Sequence, residues 1–443
     1  MKIDCLLFPV ALAVLCGASV QCTTSSRKSL PPVVAAEWNL EAIPDSMVAD
    51  GAFAYKDKLY NGMFTRSLGW NGGDGVYTVG LPGYNVLWTF NDSFYGVVDS
   101  LTRARGACSF PRNSLMVQTA SDCRPGETSD DMLWLSDYIQ TDDPSAPGYY
   151  QILTHIDHPK AQQFEDGIAK DWLYWSGEGN VVGDKLHLIW LGIHTPGTGE
   201  MIRDNAALAI YSLDGEPGDT DYMRLESVDH EWIPYNPYGY GQTLLASSDG
   251  HLYLYTYLDT GEYLLSVPLV ARTKGYDLTT GLEYYVPCES GELEWQDSYP
   301  TFEQAKHAGI APGEGTFALP WVLEKDGGYY MFAQQFPYGH ELNILRADTP
   351  WGPFTDCRRL LSFPNPLDPM QHDMYGDQYR FLYMLNLHQS LSRDGELVIS
   401  TNTDVDNSKE GADDSFWRNF DNPGSADWYR PFFYRVYNWD KVF

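Results

Sequence analysis

Basic residues are scarce in this sequence. Its 443 residues include 29 Lys and Arg against 60 Asp and Glu, which gives a formal net charge of −31 at pH 7. A negative field of this size repels phosphate backbones and anionic membrane surfaces. The composition therefore predicts no nucleic-acid partner and leaves a neutral or cation-bridged polymer compatible.

Motifs for several other chemistries are missing. The sequence has no Gly-x-Ser-x-Gly motif, no phosphate-binding loop and no dinucleotide-binding fingerprint. Four cysteines lie beyond residue 22, namely Cys108, Cys123, Cys288 and Cys357. No Cys-x-x-Cys motif occurs among them, so they do not indicate a zinc site. Cys108 and Cys123 bracket a short loop and are the expected pair if a disulfide forms.

Long apolar segments are also scarce, and the one near the start is too short to span a bilayer. Residues 5–15 are apolar and of the length of a signal-peptide core, and Gly17, Ala18 and Ser19 follow as cleavage-type small residues. We therefore predict a signal peptide over residues 1–22 and a tether over residues 23–36. Lipidation at Cys16 or Cys22 stays open, so the expected location is secreted or an outer-surface lipoprotein, with membrane contact only through a lipid anchor.

Patterns that predict β-strands and tight turns are abundant in the sequence. Five turn signals are each followed by a run typical of a β-strand: Pro82-Gly83, Gly183-Asp184, Asp249-Gly250, Asp326-Gly327 and Asp394-Gly395. Convincing amphipathic helices of ten or more residues are absent. The pattern predicts an all-β chain with a long, irregular repeat of hairpins.

The repeat favours a five-bladed β-propeller formed as a single domain by residues 37–443. The expected blades span residues 52–120, 150–213, 222–286, 292–358 and 360–436. A large β-sandwich is the alternative. Aromatic residues make up 14% of the chain, with 31 Tyr and 14 Trp, and these suit both sheet packing and contact with sugar rings.

Two aspartates flank the first turn symmetrically. Asp74 lies nine residues before Gly83 and Asp92 lies nine residues after it. Positions equidistant from a hairpin turn lie opposite one another, so the two carboxyl groups are expected to converge. Paired acids serve glycoside hydrolysis, although strand-end aspartates also cap turns or hold calcium. We therefore predict no cofactor and leave a structural calcium ion open.

Other residues are candidates for the same site. Glu178 lies between two glycines after Trp175 and is the expected general acid, with Asp74 or Asp92 as base or nucleophile and the other tuning its pKa. The candidates for substrate contact are Trp88, Arg112, Asn113, Trp175, Glu314 and His388. Glu314 is the second choice for the acid. His155-x-x-His158 has metal-like spacing but no helical context, and we interpret it as coincidence.

At these motifs the sequence resembles a known group. Residues 73–94, residues 174–179 and the closing run 429–436 resemble bacterial secreted β-propellers classed as domains of unknown function. Their usual motif has Gly where Asn91 stands, and often Asp where Glu178 stands. A related group comprises endo-acting arabinan hydrolases, and the wider propeller glycosidases include arabinanases, xylosidases and fructosidases.

The resemblance implies acid-based glycoside hydrolysis in a central funnel, with an arabinan-like furanoside polymer favoured. A non-catalytic surface protein that binds glycans stays as the alternative. In either case the expected partner is a carbohydrate polymer or oligosaccharide, and the protein is expected to be a monomer.

Overall fold

The computed structural model describes residues 41–42, 51–119, 156–161, 172–196, 201–216, 221–262, 265–336, 341–363, 380–392, 395–405 and 419–443. The predicted signal peptide and tether, His155 and Cys123 lie outside these ranges. Cys108 is a free cysteine in the structure, so the expected Cys108–Cys123 disulfide is wrong here.

The first part of the described chain forms two small sheets. Strands β1 (Glu41–Ala42) and β2 (Phe53–Lys56) precede the short helix α1 (Lys58–Met63). Six strands then pair in the orders β3-β6-β7 and β4-β5-β8: β3 (Leu68–Gly73), β4 (Tyr77–Gly80), β5 (Val86–Phe90), β6 (Ser93–Val98), β7 (Arg105–Ser109) and β8 (Ser114–Gln118). Three extended stretches thus cross both sheets, and each breaks between them, where Asp74, Asp92 and Arg112 lie.

Four larger sheets follow, and three of them are made of consecutive strands. One has the order β12-β11-β10-β9: β9 (Trp172–Val182), β10 (Lys185–His194), β11 (Ile202–Ser212) and β12 (Arg224–Ile233). The next runs from β13 to β17: β13 (Thr243–Ala246), β14 (Leu252–Asp259), β15 (Ser266–Thr273), β16 (Leu282–Pro287) and β17 (Leu293–Gln296).

The remaining sheets follow the short helix α2 (Phe302–Lys306). One runs from β18 to β21: β18 (Phe317–Lys325), β19 (Gly328–Gln335), β20 (Glu341–Ala347) and β21 (Thr355–Ser362). The last has the order β1-β2-β24-β23-β22, with β22 (Arg380–Leu387), β23 (Glu396–Val405) and β24 (Arg430–Tyr437). Strands from both ends of the described chain therefore share one sheet.

Neighbouring sheets contact one another in a ring. Strand β4 contacts β9, β9 contacts β13, β13 contacts β18, and β18 contacts β22. The 3₁₀ turn Gln389–Leu391, which follows β22, contacts β4 and closes the circle. Apolar clusters fill the space between adjacent sheets around this circle. Radially arranged antiparallel sheets of this kind are typical of a β-propeller.

A buried ion cluster joins the two ends of the chain within the last sheet. Arg435 of β24 donates from Nη2 to Asp57, just after β2, at 2.7 Å and from Nη1 to Glu396 of β23. Arg435 and Asp57 are fully buried. Since an uncompensated buried charge is costly, each member of this cluster depends on the others.

The all-β class and the hairpin positions are confirmed by the structure. The turns near Gly83, Gly183, Gly250 and Gly327 each lie between paired strands, and Gly395 lies directly before β23. Within the described ranges, no helix has the length and apolar character needed to cross a membrane.

The expected sheet boundaries are wrong in three places. Strand β12, assigned to the third repeat, pairs with β11 of the second, and β17 pairs with β16 of the third sheet although it was assigned to the fourth. Strand β2 was assigned to the first repeat but pairs with β24. Outer strands are mostly exposed and polar, as β12 shows, so hydrophobic pattern does not reveal which sheet they join.

Candidate active site

The first hairpin brings Asp74 and Asp92 together. Strands β4 and β5 pair Tyr77 with Thr89, and the same register continues to the two aspartates. The backbone N–H of Asp74 donates to the carbonyl of Asp92 at 3.1 Å, and Asn91 N–H donates to the carbonyl of Asp74 at 2.8 Å. The backbones of the two aspartates therefore lie opposite each other, as expected.

A glycine creates the break beside Asp74. Gly75 has φ of +59°, a conformation that disfavours residues with a Cβ atom. A Cβ atom at this position would lie 2.0 Å from Nδ2 of Asn91. The sequence Asp74-Gly75 thus permits a sharp local bend and the close approach of the Asn91 amide.

Asp74 is a buried carboxyl group with one partnered oxygen. Its Oδ2 accepts hydrogen bonds from the hydroxyl groups of Tyr429 at 2.6 Å and Tyr383 at 2.9 Å. Its Oδ1 is buried and has no hydrogen-bond partner among the described residues. Burial, and then the negative charge of Asp92, raise the pKa of Asp74 to about 7. Asp74 is therefore about half protonated at neutral pH, where an ordinary aspartate is ionised.

Asp92 has different surroundings although it lies opposite. Its Oδ1 accepts a hydrogen bond from Trp175 Nε1 at 2.9 Å and lies 3.1 Å from Nε of Arg112. Burial is the largest influence and leaves the pKa of Asp92 above its ordinary value, although the Arg112 charge and the Trp175 hydrogen bond lower it in part. The cation and the indole donor thus favour the ionised form of Asp92, whereas Asp74 has no cation beside it among the described residues.

Both aspartates line a cavity of about 580 Å³, which we call the Asp74–Asp92 cavity. Arg112, Trp175 and the two tyrosines that bind Asp74 also line it. The opposite wall, formed by later sheets, is more apolar than the wall with the aspartates, and it includes one further cation, Arg203. Its residues are Leu191, Ile193, Met201, Arg203, Gln242, Tyr257 and Leu319. A cavity with convergent carboxyl groups on one side and apolar and aromatic surface on the other is typical of a site for a small organic ligand.

Glu178 lies apart from this cavity. Among the described residues it lines a separate cavity of about 280 Å³ together with Thr78, Asn180 and Leu244. Its carboxyl accepts a hydrogen bond from the backbone N–H of Leu244, and burial raises its pKa well above the ordinary value. The three predicted acids therefore do not share one cavity in the described structure.

The other predicted contact residues lie in the framework around the site. Trp88 is fully buried and donates from Nε1 to Gln118 at 2.9 Å, and Asn113 donates to the carbonyl of Tyr174. Glu314 accepts from the backbone N–H of Cys357. None of these three side chains is among the described residues that line the Asp74–Asp92 cavity.

His388 is likewise part of the interior. Its Nδ1 lies 3.1 Å from the hydroxyl of Thr78, and its Nε2 lies 2.9 Å from the hydroxyl of Ser400. Burial lowers its pKa to about 3, so the ring is neutral. It is a satisfied buried histidine at the contact between the first and last sheets.

Sequence reasoning missed Tyr383, Tyr429, Arg203 and Asp404, all of which line the Asp74–Asp92 cavity. Tyr429 belongs to residues 429–436, which resemble the closing strand of the family, so the sequence did contain a signal that pointed to Tyr429. The other three lie in strands whose residues show no distinctive motif. They reach the cavity only because the ring closes.

Asn91, which departs from the usual motif, connects two sheets. Its Oδ1 accepts from the backbone N–H of Ser176 at 2.9 Å and from the Ser176 hydroxyl at 3.1 Å. Ser176 follows Trp175, so this contact holds β9 where the indole reaches Asp92. Glycine at position 91 would remove both hydrogen bonds.

Among the described residues, no group of three or more His, Cys, Asp or Glu is placed to hold a metal ion. The expectation about cofactors, including the calcium alternative, stays a prediction.

The sequence model of a protein family described as a domain of unknown function, DUF5005, matches residues 57–439. The chain belongs to the DUF5005 family. This agrees with the resemblance to propellers of unknown function at the level of the family. No match was found among curated proteins.

Solved structures resemble this DUF5005 chain to different degrees. A crystal structure of a candidate hydrolase from Bacteroides ovatus is 44% identical with a TM-score of 0.82, and the match covers 94% of this chain and 98% of that one. A GH43_1 enzyme from Xanthomonas citri is 14% identical with a TM-score of 0.40 over 84% of this chain and 88% of that one. The Bacillus subtilis arabinanase Arb43A is 10% identical with a TM-score of 0.35 over 84% and 98%. The last two are too remote to support an inference about activity.

Proposed function

We propose that this protein is a glycoside hydrolase in which Asp74 and Asp92 carry the reaction. One observation supports this most strongly. Two carboxyl groups lie opposite each other in one hairpin on the wall of the Asp74–Asp92 cavity, and their surroundings differ. Asp74 has a pKa of about 7, while Asp92 lies beside the Arg112 cation. An acid and a carboxylate in one cavity are the requirement of glycoside hydrolysis.

In this proposal Asp74 is the general acid. The hydroxyl groups of Tyr383 and Tyr429 bind Oδ2, which leaves the proton for Oδ1. That proton passes to the glycosidic oxygen as the bond between this oxygen and the anomeric carbon breaks, and Asp74 becomes a carboxylate. Glu178, which lines the separate cavity, is not given this role.

Asp92 is the second carboxylate. Trp175 and Arg112 both contact Oδ1, and among the described residues no hydrogen bond or ion pair is made to Oδ2. Oδ2 either attacks the anomeric carbon or takes a proton from the attacking water. Directly opposite residues of an antiparallel pair have Cα atoms about 4.5–5.5 Å apart. The charge of Asp92 raises the pKa of Asp74, which indicates that the two carboxyl groups are also near one another. We propose the covalent route, which requires carboxyl groups about 5–5.5 Å apart.

The substrate class and the location are part of the proposal. The relative of 44% identity is described as a candidate hydrolase, which supports hydrolysis as the reaction class. The acidic composition and the aromatic residues favour a largely neutral glycan, with an arabinan-like furanoside polymer as the first candidate. The apolar segment near the start supports export, as a secreted protein or an outer-surface lipoprotein.

The proposed architecture is one five-bladed propeller over residues 37–443. The two three-stranded sheets count as a single interrupted blade, and the closed ring of contacts supports this count. Pairing of β2 with β24 joins the chain ends, as a closed propeller requires.

The test is a screen of the purified protein against arabinans, arabinogalactan, xylans and fructans, with products separated by chromatography. We expect release of sugars by the wild type and loss of at least about 1,000-fold in Asp92→Asn, with glycan binding and melting temperature nearly unchanged. Arg224→Gln, at an exposed ion pair with Asp214, is the matched control and keeps full activity.

Binding without turnover by the wild type on every glycan would contradict the proposed reaction. It would support the alternative of a surface protein that binds glycans.

A further inference from the structure

Arg203 is a cation in the Asp74–Asp92 cavity that the proposed reaction does not use. It stands in β11, on the wall formed by later sheets, together with Leu191, Ile193 and Met201. Arg203 is thus separated from the hairpin that carries Asp74 and Asp92.

The guanidinium of Arg203 is held in place from two sides. Nη1 donates to the backbone carbonyl of Tyr238 at 2.7 Å, and the guanidinium carbon lies 5.4 Å from the centre of the Tyr257 ring. Gly239 has φ of +73°, and a Cβ atom there would lie 2.9 Å from Nη1, so the backbone is shaped to admit the guanidinium. These contacts hold the cation in one orientation and, within the part of the chain that the structure describes, leave further N–H donors without a partner.

Arg203 has no acidic partner within ion-pair distance among the described residues, and this is unusual for the chain. The sequence has about two acidic residues for every basic one, 60 against 29. Many other described arginines have carboxylate partners, including Arg103, Arg112, Arg224, Arg272, Arg346, Arg358, Arg359, Arg430 and Arg435. A half-buried, positioned guanidinium without a carboxylate is a ready site for an anion.

We propose that Arg203 binds the carboxylate of a uronic acid residue in the glycan substrate. The proposal rests on the proposed function, and it names the substrate class of the same cavity. A planar guanidinium matches a planar carboxylate through two parallel hydrogen bonds. The apolar side chains beside Arg203 then face the sugar ring, and the scissile bond lies toward Asp74 and Asp92.

The charge of the whole protein limits what kind of glycan this is. A net charge of −31 repels a long polyuronide. Charges beyond about 8 Å are screened at physiological ionic strength, while the direct contact at Arg203 is not. The inferred substrate is therefore a mainly neutral glycan that carries isolated uronic acid residues.

Binding of paired monosaccharides tests this inference without any need for turnover. The probes are methyl galacturonoside and methyl galactoside, and the corresponding glucose pair, which differ only at C6. We expect the wild type to bind a uronoside at least about 10-fold more tightly than its neutral partner by calorimetry or NMR titration, and added salt to reduce the difference. Arg203→Gln, which keeps a donor for the Tyr238 carbonyl, should abolish the preference.

The controls separate charge from folding. Arg203→Lys should keep part of the preference, because the charge stays and the bidentate geometry is lost. Arg224→Gln, on the neighbouring strand with a side chain 62% exposed, should keep all of it. Melting temperatures identify any variant that fails to fold, and in that case the Arg203→Lys comparison decides.

Three results would overturn the inference: no uronoside preference in the wild type, which includes no binding of either probe; an unchanged preference in Arg203→Gln; or tighter binding of galactose 6-sulfate than of the uronoside. Each is independent of the proposed reaction. The protein can hydrolyse neutral glycans without such a preference, or bind uronosides without turnover.

Discussion

Replacing Asp74 by asparagine tests the burial of its carboxyl group through the pH dependence of stability. Asparagine preserves the side-chain shape, and its amide oxygen accepts the hydroxyl groups of Tyr383 and Tyr429 that now bind Oδ2. The amide nitrogen takes the position of Oδ1, which is buried without a hydrogen-bond partner among the described residues. The variant therefore loses the ionisable group and keeps the surrounding contacts.

The magnitude follows from the pKa of Asp74. Burial and the charge of Asp92 raise this pKa from 3.8 to about 7. Between these values the folded protein holds a proton that the unfolded chain has released, so wild-type stability falls as pH rises. One pKa unit corresponds to about 1.4 kcal/mol. Between about pH 5 and about pH 8, Asp74 thus lowers the free energy of unfolding by about 3 kcal/mol, and Asp74→Asn escapes this loss.

Urea unfolding at both pH values measures the effect. We expect Asp74→Asn to gain stability relative to the wild type as pH rises, while losing activity. Asp297→Asn, at a side chain that is 70% exposed, is the control and should follow the wild type at both pH values. Parallel stabilities of wild type and Asp74→Asn across this range would refute the argument that burial keeps Asp74 protonated.

Three further predictions concern the same groups and the closure of the ring. Hydrolysis by the wild type should fall as pH rises through about 7, because Asp74 must carry a proton to act, and a rate profile without a limb there would contradict this role. Trp175→Phe removes a hydrogen bond that lowers the pKa of Asp92, so the acidic limb should move to higher pH; an unmoved limb would exclude Asp92 as its source. Arg435→Met leaves Asp57 and Glu396 buried without their cation and should lower the free energy of unfolding by about 3–5 kcal/mol, against less than about 0.5 kcal/mol for exposed Arg224→Met, as measured in urea.

The hairpins were predictable because turn chemistry is local. Gly83 and Gly183 both have positive φ angles in turns between paired strands, where glycine is favoured. Counting outward from Gly83 also predicts that Asp74 lies opposite Asp92, since antiparallel register follows from the turn. The backbone hydrogen bonds between these residues agree with that count.

The rest of the cavity could not be predicted from local pattern. Tyr383 and Tyr429 reach Asp74 from β22 and from the residue before β24, more than 300 positions away in sequence. Their arrival depends on the closure of the ring, which is a long-range property. Arg203 stands near the start of β11 and belongs to no motif, and its suitability as a site for an anion appears only when its neighbours in space are known.

Glu178 shows the opposite difficulty. Its glycine neighbours resemble a loop shaped around a ligand, yet it lies within the strand β9 and its carboxyl group binds the backbone of β13. Trp175 is three residues earlier on the same strand and lines the Asp74–Asp92 cavity. A strand rises about 3.3 Å per residue, so a spacing of three residues is about 10 Å, enough to place the two side chains in different cavities.

The most direct test of the roles of Asp74 and Asp92 uses two substrates of the sugar that the glycan screen identifies. One is the natural glycan, and the other is an aryl glycoside whose phenol is acidic enough to leave without a proton. We expect Asp74→Asn to lose about 100-fold or more on the glycan and far less on the aryl glycoside, whereas Asp92→Asn loses activity on both. Equal losses on the two substrates for Asp74→Asn, or retained turnover of the aryl glycoside by Asp92→Asn, would contradict the assignment of acid and carboxylate to this hairpin.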